Sequence, residues 1–516
     1  MILSKETIAA YNESRICSNK KIVCHAPFVN LNFEQTGEVR ACCYNFKHVL
    51  GKWPEQSLMQ IWTGQKLASL RGFVAENNLG GGCIECGKMI ATKNYQGVRA
   101  KYYDEFATNS FTEKLQSVKH KIFGGVVMPK VMEFELSNEC NLECVMCNGS
   151  FSSSIRKNRE KLPPIISPYN DDFVNELDAF IPHLTDAKFL GGEPFMIEIY
   201  LKIWERILKI NPSVRMHITT NGTFLNNRIK DLLEGLNAGI ILSIDSVEKE
   251  TYKKIRVNGN FDKVMENLVY FMDYTKRKKT FISIAACPMT NNWHELPQLL
   301  DFCITRNITL YFNVVFTPFE LSLKELSLSA LKEVVSFLKE KELPNLNVNS
   351  QSPVDLSIRA YTDFIQLLNG WIEEKIESER LFLGDAENEV EVVWSLDEIR
   401  IVIAKLISFE DSGFTEEQRE LQSKLAAIFA KTPKGEIANS LYCYIEVSNL
   451  HLGISENKES LHKLEHLSSL IEDHIYRENI LRMASQAPPL IFADLIAKNQ
   501  LEDLRTIFAA QFEVRT

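Results

Sequence analysis

Between residues 131 and 315 the chain alternates short apolar runs with longer stretches in which apolar residues recur every three or four positions. The runs are VMEFEL, AKFLGG, RMHITTNG, GIILSID, FISIAACP and LYFNVV, and they read as six strands. The stretches DDFVNELDAFIPHL, YLKIWERILKI, RIKDLLEGL, FDKVMENLVYFMDYTK and NNWHELPQLLDFCITRN place their apolar residues on one face, the signature of helices lying on a core. Alternation of the two patterns predicts an α/β fold with a parallel sheet.

The flanking regions have other textures. Residues 1 to about 120 are rich in cysteine, glycine and aromatic residues, with strand-like pieces FVNLNF and EVRAC and a helix across SLMQIWTGQKLASLRGFVAEN. After about 321 the strand signals fade. LSALKEVVSFLKEKEL, YTDFIQLLNGWIEEKIESE and EEQRELQSKLAAIFAK are helical in period, with proline and glycine between them. The expected organisation is a small metal-stapled module over 1–120, the α/β domain over 125–320 and a mainly helical region over 321–516.

Composition narrows the classes. A chain of 516 residues with 45% hydrophobic and 24% charged residues is ordinary for a globular protein of two or three domains. Neither the N-terminal stretch nor any later one carries an apolar run of roughly 18 residues, so no membrane partner and a cytoplasmic location are expected. The net charge of -9 argues against a broad nucleic-acid surface, and the basic run KRKK at 276–279 reads as a solvated helix end.

The twelve cysteines change the picture most, because nine of them fall in the first 147 residues. In a reducing compartment this clustering points to metal rather than disulfides. Cys140, Cys144 and Cys147 form a C-x3-C-x2-C run just after the strand VMEFEL, at the strand end where parallel α/β barrels carry their chemistry. A sealed metal site uses four protein ligands. Three thiolates can instead hold three irons of a four-iron cluster and leave the fourth open to a reactant.

That run, followed by GGEP (Gly191, Gly192, Glu193, Pro194) at the end of the second strand, resembles the radical S-adenosylmethionine (SAM) superfamily. The resemblance implies a partial (β/α)6 barrel in which Cys140, Cys144 and Cys147 hold a [4Fe-4S] cluster. The open iron would chelate the methionyl group of SAM, and an electron from the cluster would release a 5'-deoxyadenosyl radical. It further implies that Met146 packs near the adenine and that the GGEP backbone and Glu193 hold the methionyl amino group. TTNGT and SIDS resemble the family's polar strand ends near the SAM ribose and carboxylate, which marks Thr219, Asn221, Ser243 and Asp245. Arg256 would pair with the SAM carboxylate or the substrate, or else be an exposed surface residue.

The earlier cysteines form a second pattern. Twelve residues separate Cys24 from Gly37, four separate Gly37 from Cys42, and Cys83 and Cys86 close with C-x2-C. This is similar to the first half of the SPASM arrangement, whose truncated twitch form holds one auxiliary [4Fe-4S] cluster; here the module precedes the barrel instead of following it. Cys42 fits the spacing better than Cys43, which stays an alternative, and a zinc ribbon is the competing reading. Cys17 has no partner in the pattern.

The resemblance implies an enzyme whose chemistry resides in its cofactors while the chain positions a substrate. An electron donor such as flavodoxin or ferredoxin is implied as a partner. A peptide- or protein-modifying maturase is the leading reading; a radical SAM enzyme acting on a small metabolite or sugar and a non-catalytic iron-sulfur redox protein are the alternatives. Cys287, ending the fifth strand, is either a hydrogen-atom donor or a buried core residue.

Overall fold

In the computed structural model the described residues are 2–383, apart from 16, 18, 19, 96, 108–125, 348 and 349. They contain one nine-stranded sheet. The six strands expected from the pattern are β4 (Val131–Glu135), β5 (Asp186–Phe189), β6 (Arg215–Thr220), β7 (Asn237–Ser243), β8 (Ile282–Ala286) and β9 (Thr309–Phe312), parallel throughout and in sequence order. Helices fill the connections, giving an open partial barrel of the α/β class.

The sheet does not stop at β4. Strand β1 (Asn30–Glu34) pairs with it in parallel, Asn32 opposite Glu133 and Glu34 opposite Glu135, and turns back through the short antiparallel strands β2 (Glu38–Arg40) and β3 (Gly51–Lys52). Gly37 makes the first turn. Its φ is +90°, and a side chain there would meet the Trp53 carbonyl at 2.2 Å, so glycine is required.

Alternation along the strands separates two faces. On one, Phe33, Phe134 and Phe189 stack at 5.3 and 5.0 Å, with Phe173 and Trp204 edge-on from the covering helices; such pairs each add about 0.5–1.5 kcal/mol beyond the area they bury. On the other lie Glu133, Glu135, Lys188, His217, Thr219 and Ser243. A polar inner face is what a reaction chamber needs.

Part of that face is closed by the 3-10 helix Arg99–Phe106 from the N-terminal region. Buried Glu133 accepts from Arg99 at 2.6 Å and Tyr103 at 3.0 Å and pairs with Lys188 at 3.2 Å. These partners hold its carboxyl below the usual range despite burial.

Local rules explain the helices and two departures. Asn170, Asn226 and Asn260 each cap a helix that returns from the strand ends. The single helix expected over 57–77 is two, Leu58–Trp62 and Gln65–Ala75, because Gly64 sits so close to the Gln60 carbonyl that a side chain would meet it at 2.7 Å. The pattern at 171–184 is an α-helix only to Leu177, followed by a 3-10 turn at Ile181–His183 that holds Pro182. KRKK ends the helix Phe261–Lys278, where Arg277 pairs with Glu234 and Asp273.

The chain forms two compact units, Met1–Asn369 and Gly370–Thr516. The first holds the whole sheet. The helix expected at 416–431, and Cys443, lie outside the described residues. No helix among the described residues is long and apolar enough to cross a membrane.

Candidate functional site

The loop after β4 is pinned on every side. Asn138 donates to the Gly149 carbonyl at 2.9 Å, Ser152 to that of Leu142 at 2.6 Å, and Ser154 to that of Cys140 at 2.8 Å. The Cys140 amide donates to Ser153 Oγ at 3.1 Å, and the Glu143 and Val145 amides donate to Val257 and Ile255. All three thiols are free. Burial pushes Cys140 up to about 12 and Cys147 to about 11, and Cys144 up as well, opposed by Arg256. Left alone they stay protonated; a bound iron centre supplies the positive charge that ionises them.

Two of the sulfurs already have donors beside them. Asn221 Nδ2 lies 3.9 Å from Cys140 Sγ, and Arg256 Nη1 lies 3.8 Å from Cys144 Sγ. Arg256 is buried, not exposed, because its Nε donates to Asp245 at 2.7 Å, while Asp245 also accepts the Cys287 amide at 2.8 Å. Met146 and Cys287 pack together on the apolar cluster of Ile255, Met289 and Val315. Burial raises the Cys287 thiol strongly.

Gly191 and Gly192 have φ of +77° and +51°, and a side chain on Gly192 would meet the Glu139 carbonyl at 2.2 Å. The two loops therefore touch backbone to backbone, joined by the Glu193 amide donating to Glu139 at 2.7 Å. Glu193 itself lies deep beneath these loops. Its carboxylate is fully buried and accepts from Thr220 Oγ1 at 2.7 Å, the Phe195 amide at 3.2 Å and the Asn221 amide at 2.7 Å. Burial outweighs these bonds and lifts it to about 7. It ties the ends of β5 and β6 together.

Other positions fall nearby. The Pro194 carbonyl starts the next turn by accepting from Ile197. Thr219 and Ser243 are half-buried on the inner side of β6 and β7. Sequence reasoning passed over Asn141, Thr220 and Thr223: Asn221 Nδ2 donates to Asn141 Oδ1, Asn141 Nδ2 to Thr223 Oγ1, and Thr220 is the threonine that reaches Glu193. Strand parity separates the two threonines of TTNGT: Thr219 faces the polar side of the sheet with His217, and Thr220 lies on the opposite face, where it reaches Glu193.

In the N-terminal region Cys24, Cys42, Cys83 and Cys86 line one apolar cavity with Val23, Leu79 and Ile90. The Ala26 amide and Asn45 Nδ2 each lie 3.4 Å from a sulfur, of Cys24 and Cys83. Cys43 turns away from it. Among the described residues the one group of three ligand atoms within 4.8 Å of one another is Cys17, His25 and Asp104, where Arg15 already pairs with Asp104 at 2.5 Å. Sulfurs around a single zinc, with bonds of ~2.3 Å, stand about 3.8 Å apart. Among the described residues neither cysteine set is that tight.

Cys43 opens instead into a second cavity of about 310 Å³, beside Glu34, Arg40 and Glu135 and against Gly191 of the GGEP loop. Burial and the neighbouring Glu133 and Glu34 raise Glu135 to about 7.

Comparison with known proteins agrees with this geometry. The model of the radical SAM superfamily matches residues 134–303, and that of an iron-sulfur cluster-binding domain, SPASM, matches residues 24–87. A probable GTP 3',8-cyclase of Methanocaldococcus jannaschii is 28% identical over 37% of this chain and 61% of its own length. The GTP 3',8-cyclase of Limosilactobacillus fermentum is 25% identical over 46% of this chain and 68% of its own. Among solved structures, Streptococcus suis SuiB bound to SAM is 17% identical with a TM-score of 0.31, covering 55% of this chain and 61% of that one. The chain thus spans about 61% of the first curated relative it matches. Its two matched segments coincide with the two cysteine sites: the chain carries a radical SAM domain and a SPASM-type iron-sulfur domain, which imply [4Fe-4S] clusters and SAM as cofactors.

Proposed function

We propose that the protein modifies a peptide or protein substrate by radical chemistry. Cys140, Cys144 and Cys147 hold the cluster that binds SAM, and Cys24, Cys42, Cys83 and Cys86 hold the auxiliary one. When bound, cluster and SAM supply a 5'-deoxyadenosyl radical that takes a hydrogen atom from the substrate. The chain's own residues do the positioning. Gly191 and Gly192 bring backbone against the cysteine loop, and Glu193 keeps that loop in place. Arg256 sets a positive charge beside Cys144 and is held by Asp245, while Met146 gives an apolar wall for the adenine.

The observation that carries the substrate class is the cavity between the β1–β2 hairpin and the GGEP loop. GTP, on which the relatives' names say they act, would need cations to match its charge. The cavity offers Glu34 and Glu135 against a single Arg40, itself paired with Glu34 and Glu38 at 2.5 and 2.8 Å. An uncharged or basic chain fits there; a triphosphate is repelled. The small-metabolite reading keeps the support of those relatives.

In a cytosolic setting a flavodoxin or ferredoxin would deliver the electron. The test is anaerobic reconstitution followed by dithionite and SAM: 5'-deoxyadenosine should form, and its absence would sink the enzyme reading. Adding GTP should leave that rate unchanged; GTP turnover would establish the metabolite reading in its place.

A further inference from the structure

The second cavity carries more than a substrate class. Its walls hold polar atoms left without partners: Arg40 Nε and Gln35 Oε1 are buried and unbonded, and behind them the Asn32 amide, on a residue 1% exposed, faces the Glu135 carboxylate. Asn32 and Glu34 lie on the same face of β1, and their register partners on β4 are Glu133 and Glu135. Buried polar atoms in a folded chain normally find partners, so a group of orphans around one cavity marks a place where a ligand supplies them.

The charge of that ligand follows from what the walls lack. Arg40 is matched twice over by Glu34 and Glu38, whereas Glu135 has no ion pair among the described residues. At the mouth Phe46 and Phe151 are 60% and 52% exposed. Two phenyl rings above a carboxylate floor suit an alkyl stem ending in a cation. The orphaned Arg40 Nε and Gln35 Oε1 are a donor and an acceptor of the kind a peptide group would satisfy.

We propose that this cavity anchors the substrate by taking a primary ammonium or guanidinium group, carried on a basic side chain of the peptide. The proposal rests on the peptide reading above. A group held there places its chain between Gly191, on the SAM side, and Cys43, next in sequence to Cys42 of the auxiliary site.

Cys43 provides a reporter inside the cavity. In the cluster-loaded full-length protein, kept anaerobic, its rate of modification by a cationic trimethylammonium-ethyl methanethiosulfonate is compared with that by the anionic sulfonatoethyl reagent. Peptide mapping follows the residue, and a free thiol normalises the rates. We expect the cationic reagent to be favoured at least about tenfold at low salt, with the preference reduced in Glu135→Gln. The tripeptide amide Ala-Lys-Ala should protect Cys43 while its norleucine counterpart does not. Equal or anionic preference in the unaltered protein, or a Cys43 inert to both reagents, would overturn the proposal. Protection by free cadaverine but not by the lysyl peptide would overturn the peptide as the source. Formation of 5'-deoxyadenosine in the same sample is read separately, so that loss of charge selectivity with SAM cleavage intact refutes the anchor alone.

Discussion

The two cysteine sites use the same thiols in opposite surroundings. Around Cys140, Cys144 and Cys147 the neighbours are polar: Asn221 and Arg256 point at sulfur, and Glu193 and Asp245 are buried close behind. Around Cys24, Cys42, Cys83 and Cys86 the walls are apolar, and the N–H donors at sulfur are neutral: backbone amides, such as those of Ala26 at Cys24 and Tyr44 at Cys42, and the Asn45 side chain at Cys83. Hydrogen bonds, charge and exposure tune a cluster. On the proposed assignment, the difference teaches how one kind of ligand can serve two ends: a polar, charged setting suits a cluster that exchanges a ligand, and an apolar, neutral one suits a cluster held closed.

The largest effects should separate the sites outright. Replacing any of Cys140, Cys144 or Cys147 with alanine should abolish 5'-deoxyadenosine formation and lower the iron content from about eight to about four per chain. Cys42→Ser should remove the other four irons, whereas Cys43→Ser should remove none. Iron and sulfide analysis beside the SAM assay checks both, and iron loss in Cys43→Ser would reverse the assignment between the two neighbours. Next in size, Arg256→Leu strands the buried Asp245 carboxylate and takes the charge from Cys144. Breaking such a pair from one side costs about 3–5 kcal/mol, measurable by denaturant unfolding, and SAM cleavage should fall with it.

Much of this was legible in the residues because strand pattern and motif spacing are local. VMEFEL and its five successors gave the parallel sheet, and C-x3-C-x2-C with GGEP gave the loop pair at its edge. What was hidden depends on partners far apart in sequence. Nothing in NLNF announces that β1 will pair with β4 some hundred residues on. The depth of Glu193 was hidden because motif spacing says nothing of burial, and two of its three partners, Thr220 and Asn221, lie at a neighbouring strand end. Arg256 could be read as exposed for the same reason, until Asp245 and Cys144 closed around it. Cys42 and Cys43 differ by one position along the chain, which turns their side chains into different cavities.

Glu135 gives a smaller effect with a sign that can be worked out. Its folded carboxyl sits near 7, above the usual carboxylate value, so the folded state binds the extra proton. Its contribution is intact below about pH 4.5 and is lost as pH rises through about 7, on the order of 1–3 kcal/mol in all. Unfolding midpoints at pH 5 and pH 8 should therefore differ less in Glu135→Gln than in the unaltered chain, with the variant the relatively more stable one at pH 8. Equal slopes would mean that the carboxyl titrates as it does in water.

The mildest prediction bears directly on the comparison. Asn45 Nδ2 lies 3.4 Å from Cys83 Sγ and donates also to the Gly81 carbonyl at 3.2 Å, so Asn45→Ala removes two neutral hydrogen bonds from an otherwise apolar wall. Losses of this kind cost about 1 kcal/mol each, well below the cost of unpairing Arg256, because no charge is left behind. Iron content should stay the same and the auxiliary cluster's reduction potential should shift while the SAM-binding cluster's does not, as read by potentiometric titration. If Asn45→Ala instead released the iron, the closed site would depend on its polar neighbours as heavily as the open one, and the contrast between the two would fail.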